Sequence, residues 1–285
     1  MECLSRSLQA GGAGEALRSD MEKVLPGEAV YLVTGATQGV GAAVARRLAT
    51  GGAGGVVLVG RDAERGKAVA ADVEASGCAA AFVAAELEDV AACRRAVAAC
   101  AERFGRLDGL VNAAGITDRG GIDDTTPELW DRLFAVNVRA PFFLCQEAVK
   151  LMRQNPLDGL RQAGSIVNII TMSSHGGQPK LTAYSASKGA LATLTRNLGH
   201  ALRAERIRVN GLNIGWTETP NEHRVQLAEG QPADWLAEAE AHQPFGRLIK
   251  PADVAEAVLF LLGPASGIMT GSVIDYDQMV IGAYD

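Results

Sequence analysis

Short apolar runs alternate along this chain with longer segments in which apolar positions recur at helical spacing. Ala29-Val30-Tyr31-Leu32-Val33 is the first such run, ended by Thr34-Gly35. Val56-Val57-Leu58-Val59, Ala80-Ala81-Phe82-Val83, Gly109-Leu110-Val111, Ser165-Ile166-Val167-Asn168-Ile169-Ile170 and Ile207-Arg208-Val209-Asn210 repeat it. Runs that are continuous rather than alternating point to strands covered on both faces. Between them, helical patterning is found near residues 39–50, 62–76, 88–104, 127–153, 181–203 and 251–263, the last opening on Pro251. Strand and helix in regular alternation predict an α/β fold: a doubly wound, Rossmann-type parallel sheet in a single domain over residues 29–285, with helices on both faces. Ligands of such sheets bind at the carboxyl ends of the strands, so the residues just after each strand are the ones to inspect.

Composition narrows the picture. The 285 residues are 48% apolar, ample for a sizeable core, and 27 basic against 33 acidic residues leave a net charge of −6. That balance disfavours a nucleic-acid partner. No apolar stretch approaches the roughly 18 to 20 residues of a membrane helix. The five cysteines, Cys3, Cys78, Cys93, Cys100 and Cys145, form no CxxC or CxxxC pair, so neither a metal site nor a redox pair is expected. They read as small buried hydrophobes of a reducing, cytoplasmic compartment. Residues 1–28, rich in glycine, alanine and charge, read as an N-terminal extension: a loosely ordered tail or a short surface helix, with Met21 as an alternative start.

Candidate chemistry begins after the first strand. Thr34-Gly35-Ala36-Thr37-Gln38-Gly39-Val40-Gly41 leads into a helix, and glycines there let backbone N–H groups approach a pyrophosphate at the helix N-terminus. After the second strand, Gly60-Arg61 stands where an acidic residue would hold the ribose hydroxyls of NAD. A guanidinium there suits the 2′-phosphate of NADP, so NADP(H) is favoured and NAD(H) is the alternative; Arg61 as a solvated bystander also remains open. In Tyr184-Ser185-Ala186-Ser187-Lys188, the tyrosine and lysine share one helix face. A nearby cation is expected to lower the phenol pKa and make Tyr184 a proton donor and acceptor.

Together these residues resemble the short-chain dehydrogenase/reductase family, in its short single-domain branch, from about Glu28 to the C-terminus. The TGxxxGxG turn is Thr34, Gly35, Gly39 and Gly41, and the YxxxK pair is Tyr184 and Lys188. Asn112-Ala113-Ala114-Gly115 matches the family's NAG motif, and Asn137 its helix asparagine. The resemblance implies reversible hydride transfer between a nicotinamide and a carbonyl or secondary alcohol. Tyr184 would be the acid/base, Lys188 would tune it and hold the ribose, and Asn137 would position a water that relays protons to Lys188. It also implies cofactor contacts from Thr37, Gln38, Val40, Asn112, Ala113, Gly115, Tyr184 and Lys188, and a homodimer or homotetramer built on the two long helices.

Several positions depart from the pattern. Thr171 stands thirteen residues before Tyr184, where the family has a serine; it keeps the hydroxyl donor, with Ser173 as the alternative if the loop shifts register. Ile214 replaces a proline ahead of Gly215, Thr217 and Thr219, which are expected to hold the carboxamide of the nicotinamide. Glu86-Leu87 replaces an Asp-Val pair beside the adenine, and Gln278-Met279 a glycine pair. His175, Gln178 and Trp216 are expected at the substrate pocket, with residues 216–242 resembling the family's mobile substrate loop. The polar residues of that loop suit a small, polyhydroxylated molecule, or simply form a solvated lid. Two readings follow: an active oxidoreductase, or a catalytically silent nucleotide-binding scaffold or sensor, against which the intact Tyr184, Lys188 and Asn137 argue.

Overall fold

The computed structural model of the chain describes residues 24–157, 159 and 162–283. Most of the expected N-terminal extension, residues 1–23 with Cys3 and Met21, lies outside the described residues. Residues 24–28 are part of the packed body: the N–H groups of Val24 and Leu25 both donate to the Gly51 carbonyl at 3.0 Å, and Leu25 is buried.

The strands are β1 (Val30–Thr34), β2 (Gly55–Gly60), β3 (Ala79–Ala84), β4 (Gly109–Asn112), β5 (Gly164–Thr171), β6 (Ile207–Ile214) and β7 (Val273–Tyr276). The helices are α1 (Gly39–Thr50), α2 (Ala63–Ala75), α3 (Val90–Phe104), α4 (Pro127–Phe134), α5 (Ala140–Met152), α6 (Thr182–Leu202), α7 (Pro220–Ala228), α8 (Trp235–Ala241) and α9 (Pro251–Leu262). The seven strands form one sheet in the order β3-β2-β1-β4-β5-β6-β7, every pair parallel.

Alternate side chains of each strand enter opposite cores, which is why Val30–Val33 and Val56–Val59 are apolar throughout. Tyr31, Val33, Val56, Leu58, Val111 and Leu212 pack on one face with Leu48 of α1, Val73 of α2 and Val258 of α9. Leu32, Val57, Leu110, Ile166 and Val209 pack on the other with Val97 of α3, Leu144 of α5 and Leu202 of α6. Several helices begin at a side-chain cap. Asp62 accepts from the Arg65 N–H, Asp89 from Ala91 and Ala92, and Thr126, ahead of Pro127, from Leu129.

Two features differ from the expectation. The long helix over 127–153 is interrupted by a single π-helical turn, Ala135–Arg139, which carries Asn137. Pro141 has no N–H to return to the carbonyl four residues back, at Asn137, so the regular α ladder cannot run through this point. The segment 216–242 holds two short helices, α7 and α8. The sequence carries the signal for the first: Thr219 caps it by accepting from the Glu222 N–H at 3.0 Å, and Pro220 occupies its first turn.

Candidate active site

The strand order reverses direction from β1, between its neighbours β2 and β4, and there the chain builds its cleft. Thr34 fastens the two strands: its hydroxyl donates to the Val111 carbonyl at 3.3 Å and accepts from the N–H groups of Ala113 and Ala114, both at 3.1 Å. Gly35 follows with φ of +66°, and a Cβ there would lie 2.9 Å from the Ala114 backbone. A Cβ on Gly41 would overlap the Gly35 carbonyl oxygen, so the turn can fold back on the first turn of α1 only as glycine. Gln38, at the cap of α1, gives that helix no side-chain hydrogen bond, which leaves its first N–H groups open to the cleft.

The cleft encloses about 680 Å³ and runs from Arg61 and Arg65 past this turn to Tyr184 and Lys188. Its wall includes Gly35, Thr37, Gln38, Gly39, Val40, Gly41, Arg61, Glu86, Leu87, Ala113, Gly115 and Thr219, together with Tyr184 and Lys188. At the Arg61 end, Arg65 is already engaged, by Asp62 at 2.6 Å and by Gln38 at 2.5 Å. Arg61 is loosely held: its guanidinium is 4.0 Å from the Glu86 carboxylate and its side chain is 60% exposed.

At the other end, α6 brings Tyr184 and Lys188 together one turn apart, with the ammonium 5.9 Å from the ring centroid. Both side chains are buried. Burial pushes the Tyr184 phenol up to about 12, against the opposing hydrogen bond with Thr171. Burial likewise pushes the Lys188 ammonium down to about 8. This corrects the expectation of a lowered phenol pKa, because desolvation outweighs the hydrogen bond with Thr171. Lys188 donates to the Ile169 carbonyl at 2.8 Å.

Asn137 is wholly buried. Its Oδ1 accepts from the Ile116 N–H at 3.0 Å, and its Nδ2 donates to the Ile116 carbonyl at 3.0 Å and to Ser187 Oγ at 3.1 Å. It therefore clamps the segment after β4. Opposite, Gly115 leaves a space that a Cβ would fill, 3.3 Å from Lys188 Nζ and 3.4 Å from Asn137 Oδ1.

Other expected contacts lie elsewhere. Asn112 is 2% exposed and donates to Asn168 Oδ1 at 2.8 Å, tying β4 to β5; its side chain is directed into the sheet and off the cleft wall. Gly215 is backed by the Asp277 carboxylate, and Thr217 donates to the Gly215 carbonyl at 3.0 Å; neither forms part of the wall. Thr171 shares a hydrogen bond with Tyr184 and pairs with Ser173 Oγ at 3.0 Å. His175 is turned to Asp275 at 2.7 Å, Trp216 stacks on Trp235, and Gln178 is exposed, so none of the three lines the cleft. Sequence reasoning missed Arg65 and the segment Thr117-Asp118-Arg119, whereas Asn221, Arg224, Val225, Ala228 and Glu229, of α7 and its end, belong to the 216–242 segment expected beside the pocket and do line the cleft. The Thr219-Pro220 cap was a readable signal for the α7 group; nothing local marked the others. Among the described residues, no group of three His, Cys, Asp or Glu could hold a metal ion. No helix among them is long and apolar enough to cross a membrane.

The residues present fit a dinucleotide. The volume falls within the roughly 300–1,000 Å³ of ligand pockets, the glycine turn would be filled by any Cβ, and the open N-terminus of α1 faces the middle. Known proteins agree. A family model described as enoyl-(acyl carrier protein) reductase matches residues 35–278. The cis-4-hydroxycyclohexanecarboxylate dehydrogenase of Sinomonas cyclohexanicum is 34% identical over 251 residues, 88% of this chain and 95% of that protein. The gluconate 5-dehydrogenase of Gluconobacter oxydans is 33% identical over 246 residues, covering 86% and 92%. A crystal structure of a short-chain dehydrogenase from Burkholderia cenocepacia in complex with NADP superposes with a TM-score of 0.77 at 34% identity, over 90% of this chain and 98% of that one. The chain belongs to the short-chain dehydrogenase/reductase family and is an oxidoreductase that exchanges a hydride between a nicotinamide cofactor and a CH–OH or C=O group.

Proposed function

We propose that the cofactor is NADP(H) and that the substrate is a small, hydroxylated secondary alcohol or its ketone. The observation that carries this reading is one continuous cleft with a loosely held Arg61 at one end and a buried Tyr184–Lys188 pair at the other. When bound, the nicotinamide supplies or accepts the hydride. Tyr184, protonated at neutral pH, gives its proton to the developing alkoxide in reduction; in oxidation it is its phenolate form that takes one from the carbinol. The Lys188 ammonium favours the phenolate that remains and donates toward the ribose hydroxyls across the space at Gly115. Asn137 keeps that space open by holding Ile116. Thr171, paired with Ser173, presents the hydroxyl that orients the substrate oxygen. The named substrates of the Sinomonas and Gluconobacter relatives, both hydroxylated acids, support the substrate class.

The test is paired titration with NADPH and NADH, followed by cofactor fluorescence. A 2′-phosphate meeting one guanidinium gains about 1.5–3 kcal/mol, so Arg61→Ala is expected to weaken NADPH roughly 10- to 100-fold and leave NADH unchanged. Equal loss for both nucleotides, or tighter NADH binding by the wild type, would overturn the NADP assignment. Absence of binding by either nucleotide would overturn the cofactor assignment altogether.

The same proposal extends to a homodimer or homotetramer working in the cytoplasm. An apolar groove between α6 and the run from α4 through the π turn into α5 supports the oligomer, lined by Phe134, Val138, Phe142 and Leu194, with Phe142 38% exposed. The free, buried thiols of Cys78, Cys93, Cys100 and Cys145 suit a reducing compartment. Phe142→Glu is expected to shift sedimentation toward monomer; a wild type that sediments as a monomer at micromolar concentration removes the oligomer.

A further inference from the structure

The Tyr184 end of the cleft is walled by the segment after β4 and by α7, and a cation stands where the two meet. Arg119 is joined to Glu229, at the end of α7, through Nε alone, at 2.6 Å. Among the described residues its two terminal nitrogens form no hydrogen bond, whereas Arg153 meets Glu205 with both Nε, at 2.5 Å, and Nη2, at 2.8 Å. Arg119 and Glu229 both line the cleft, with side chains 31% and 35% exposed. The Arg119 charge also acts on the Tyr184 phenol, favouring its ionised form, while the Glu222 charge opposes it. Arg119 therefore borders the place where a substrate hydroxyl has to meet Tyr184.

The other charges nearby are accounted for. Glu222 accepts from Trp216 Nε1 at 2.8 Å and from Gln226 Nε2 at 2.7 Å. Asp118 pairs with Arg132 at 3.1 Å. Arg224, on the same wall, donates to Asn221 and forms no ion pair among the described residues, so it adds positive charge to this side.

Resting on the oxidoreductase reading above, we propose that Arg119 is the anion-recognition residue of the substrate pocket and that the substrate is a hydroxy acid or the matching keto acid. The substrate carboxylate lies on the terminal nitrogens of Arg119, and the reacting carbon lies at Tyr184. A planar guanidinium held by one nitrogen keeps the paired donors that match a carboxylate. In the oxidation, the carbinol C–H breaks with its electron pair passing as hydride to the nicotinamide, and the O–H proton passes to Tyr184 in its phenolate form, leaving the keto acid and the neutral phenol. Glu229 steadies the guanidinium and competes with the incoming acid for it.

The alternative is that the pair only straps α7 across the cleft. The two differ in sign. If Arg119 reads an anion, removing its charge weakens acid binding, and neutralising Glu229 strengthens it. If the pair is a strap, both changes act in the same direction.

The full chain is loaded with NADPH and titrated calorimetrically with two matched pairs, cyclohexanecarboxylate against cyclohexanecarboxamide and butyrate against butyramide. The wild type is expected to bind each acid at least about tenfold tighter than its amide. Arg119→Ala is expected to erase that preference, and Glu229→Gln to widen it, with amide affinity unchanged in both. A wild type that binds acid and amide alike overturns the proposal, as does an equal loss for both ligands in both variants. The NADPH loading step reports separately: failure there overturns the nucleotide reading, and this inference with it, whereas normal loading without acid preference overturns this inference alone.

Discussion

Lys188 is a buried cation with no carboxylate partner among the described residues, and folding opposes its charge. Lowering its pKa from the ordinary 10.5 to about 8 corresponds to about 3 kcal/mol of stability withheld from the folded chain at pH 7. Replacing it by methionine, of similar reach and no charge, removes that penalty and gives up one hydrogen bond to the Ile169 carbonyl, about 1 kcal/mol. Lys188→Met is therefore expected to stabilise the cofactor-free protein by about 2 kcal/mol, or about 4 to 8 °C in Tm, while turnover falls by a factor of 100 or more (estimated from about 10²–10⁴ for a proton-transfer assembly). The sign with pH is distinctive. A base whose folded pKa is depressed weakens the fold in full below the folded value, near 8, and not at all above the unfolded value of 10.5. The advantage of the variant is thus expected to shrink between pH 8 and pH 10.5, as the wild-type lysine loses its charge in both states. Paired thermal and urea unfolding at pH 7 and pH 10 measures it. A variant less stable than wild type at pH 7, or a difference that ignores pH, would show that Lys188 is not a strained charge.

Further expectations test the rest of the cleft. Tyr184→Phe should abolish turnover with NADPH affinity retained, checked by pairing steady-state rates with a fluorescence titration; near-normal rates would remove the proton-transfer role. Because the wild-type phenol stays protonated up to about 12, the rate of carbonyl reduction should be flat from pH 6 to pH 8, and a fall centred near 7 would point to a lowered phenol pKa instead. Gly41→Ala places a methyl group against the Gly35 carbonyl. Overpacking of about 1–3 kcal/mol at this turn should weaken NADPH by about 5- to 150-fold, read by the same titration, while the circular dichroism spectrum stays native.

Much of the fold was legible in the chain. Val30–Val33 of β1 and Val56–Val59 of β2 are apolar at every position because both faces of a parallel sheet are covered, and α3 begins where Asp89 caps it. These are local rules, enforced by the two-residue period of a strand and the turn of a helix. The glycine turn and the Tyr184–Lys188 spacing belong to the same class, since each is complete within eight residues of chain. The π turn at Asn137 was only half legible: Pro141 marks the break, but the clamp needs Ile116, 21 residues away.

Only tertiary structure could decide the remainder. Two asparagines looked alike as site residues, yet Asn112 is directed to Asn168, 56 positions on, and Asn137 to the loop that walls the cleft. Arg61 and Arg65 sit four residues apart, and what separates them is that Asp62 and Gln38 engage one and leave the other loose. The Tyr184 phenol is governed by burial, which no spacing reveals, and so its pKa moved opposite to the expectation. Arg119 and Glu229 are 110 residues apart in the chain and in contact across the cleft. The sequence by itself determined the elements and their order, because backbone hydrogen bonding and side-chain periodicity act between near neighbours. Desolvation and charge pairing depend on which distant segments the sheet brings together, so the chemistry of the cleft was decided only when the chain folded.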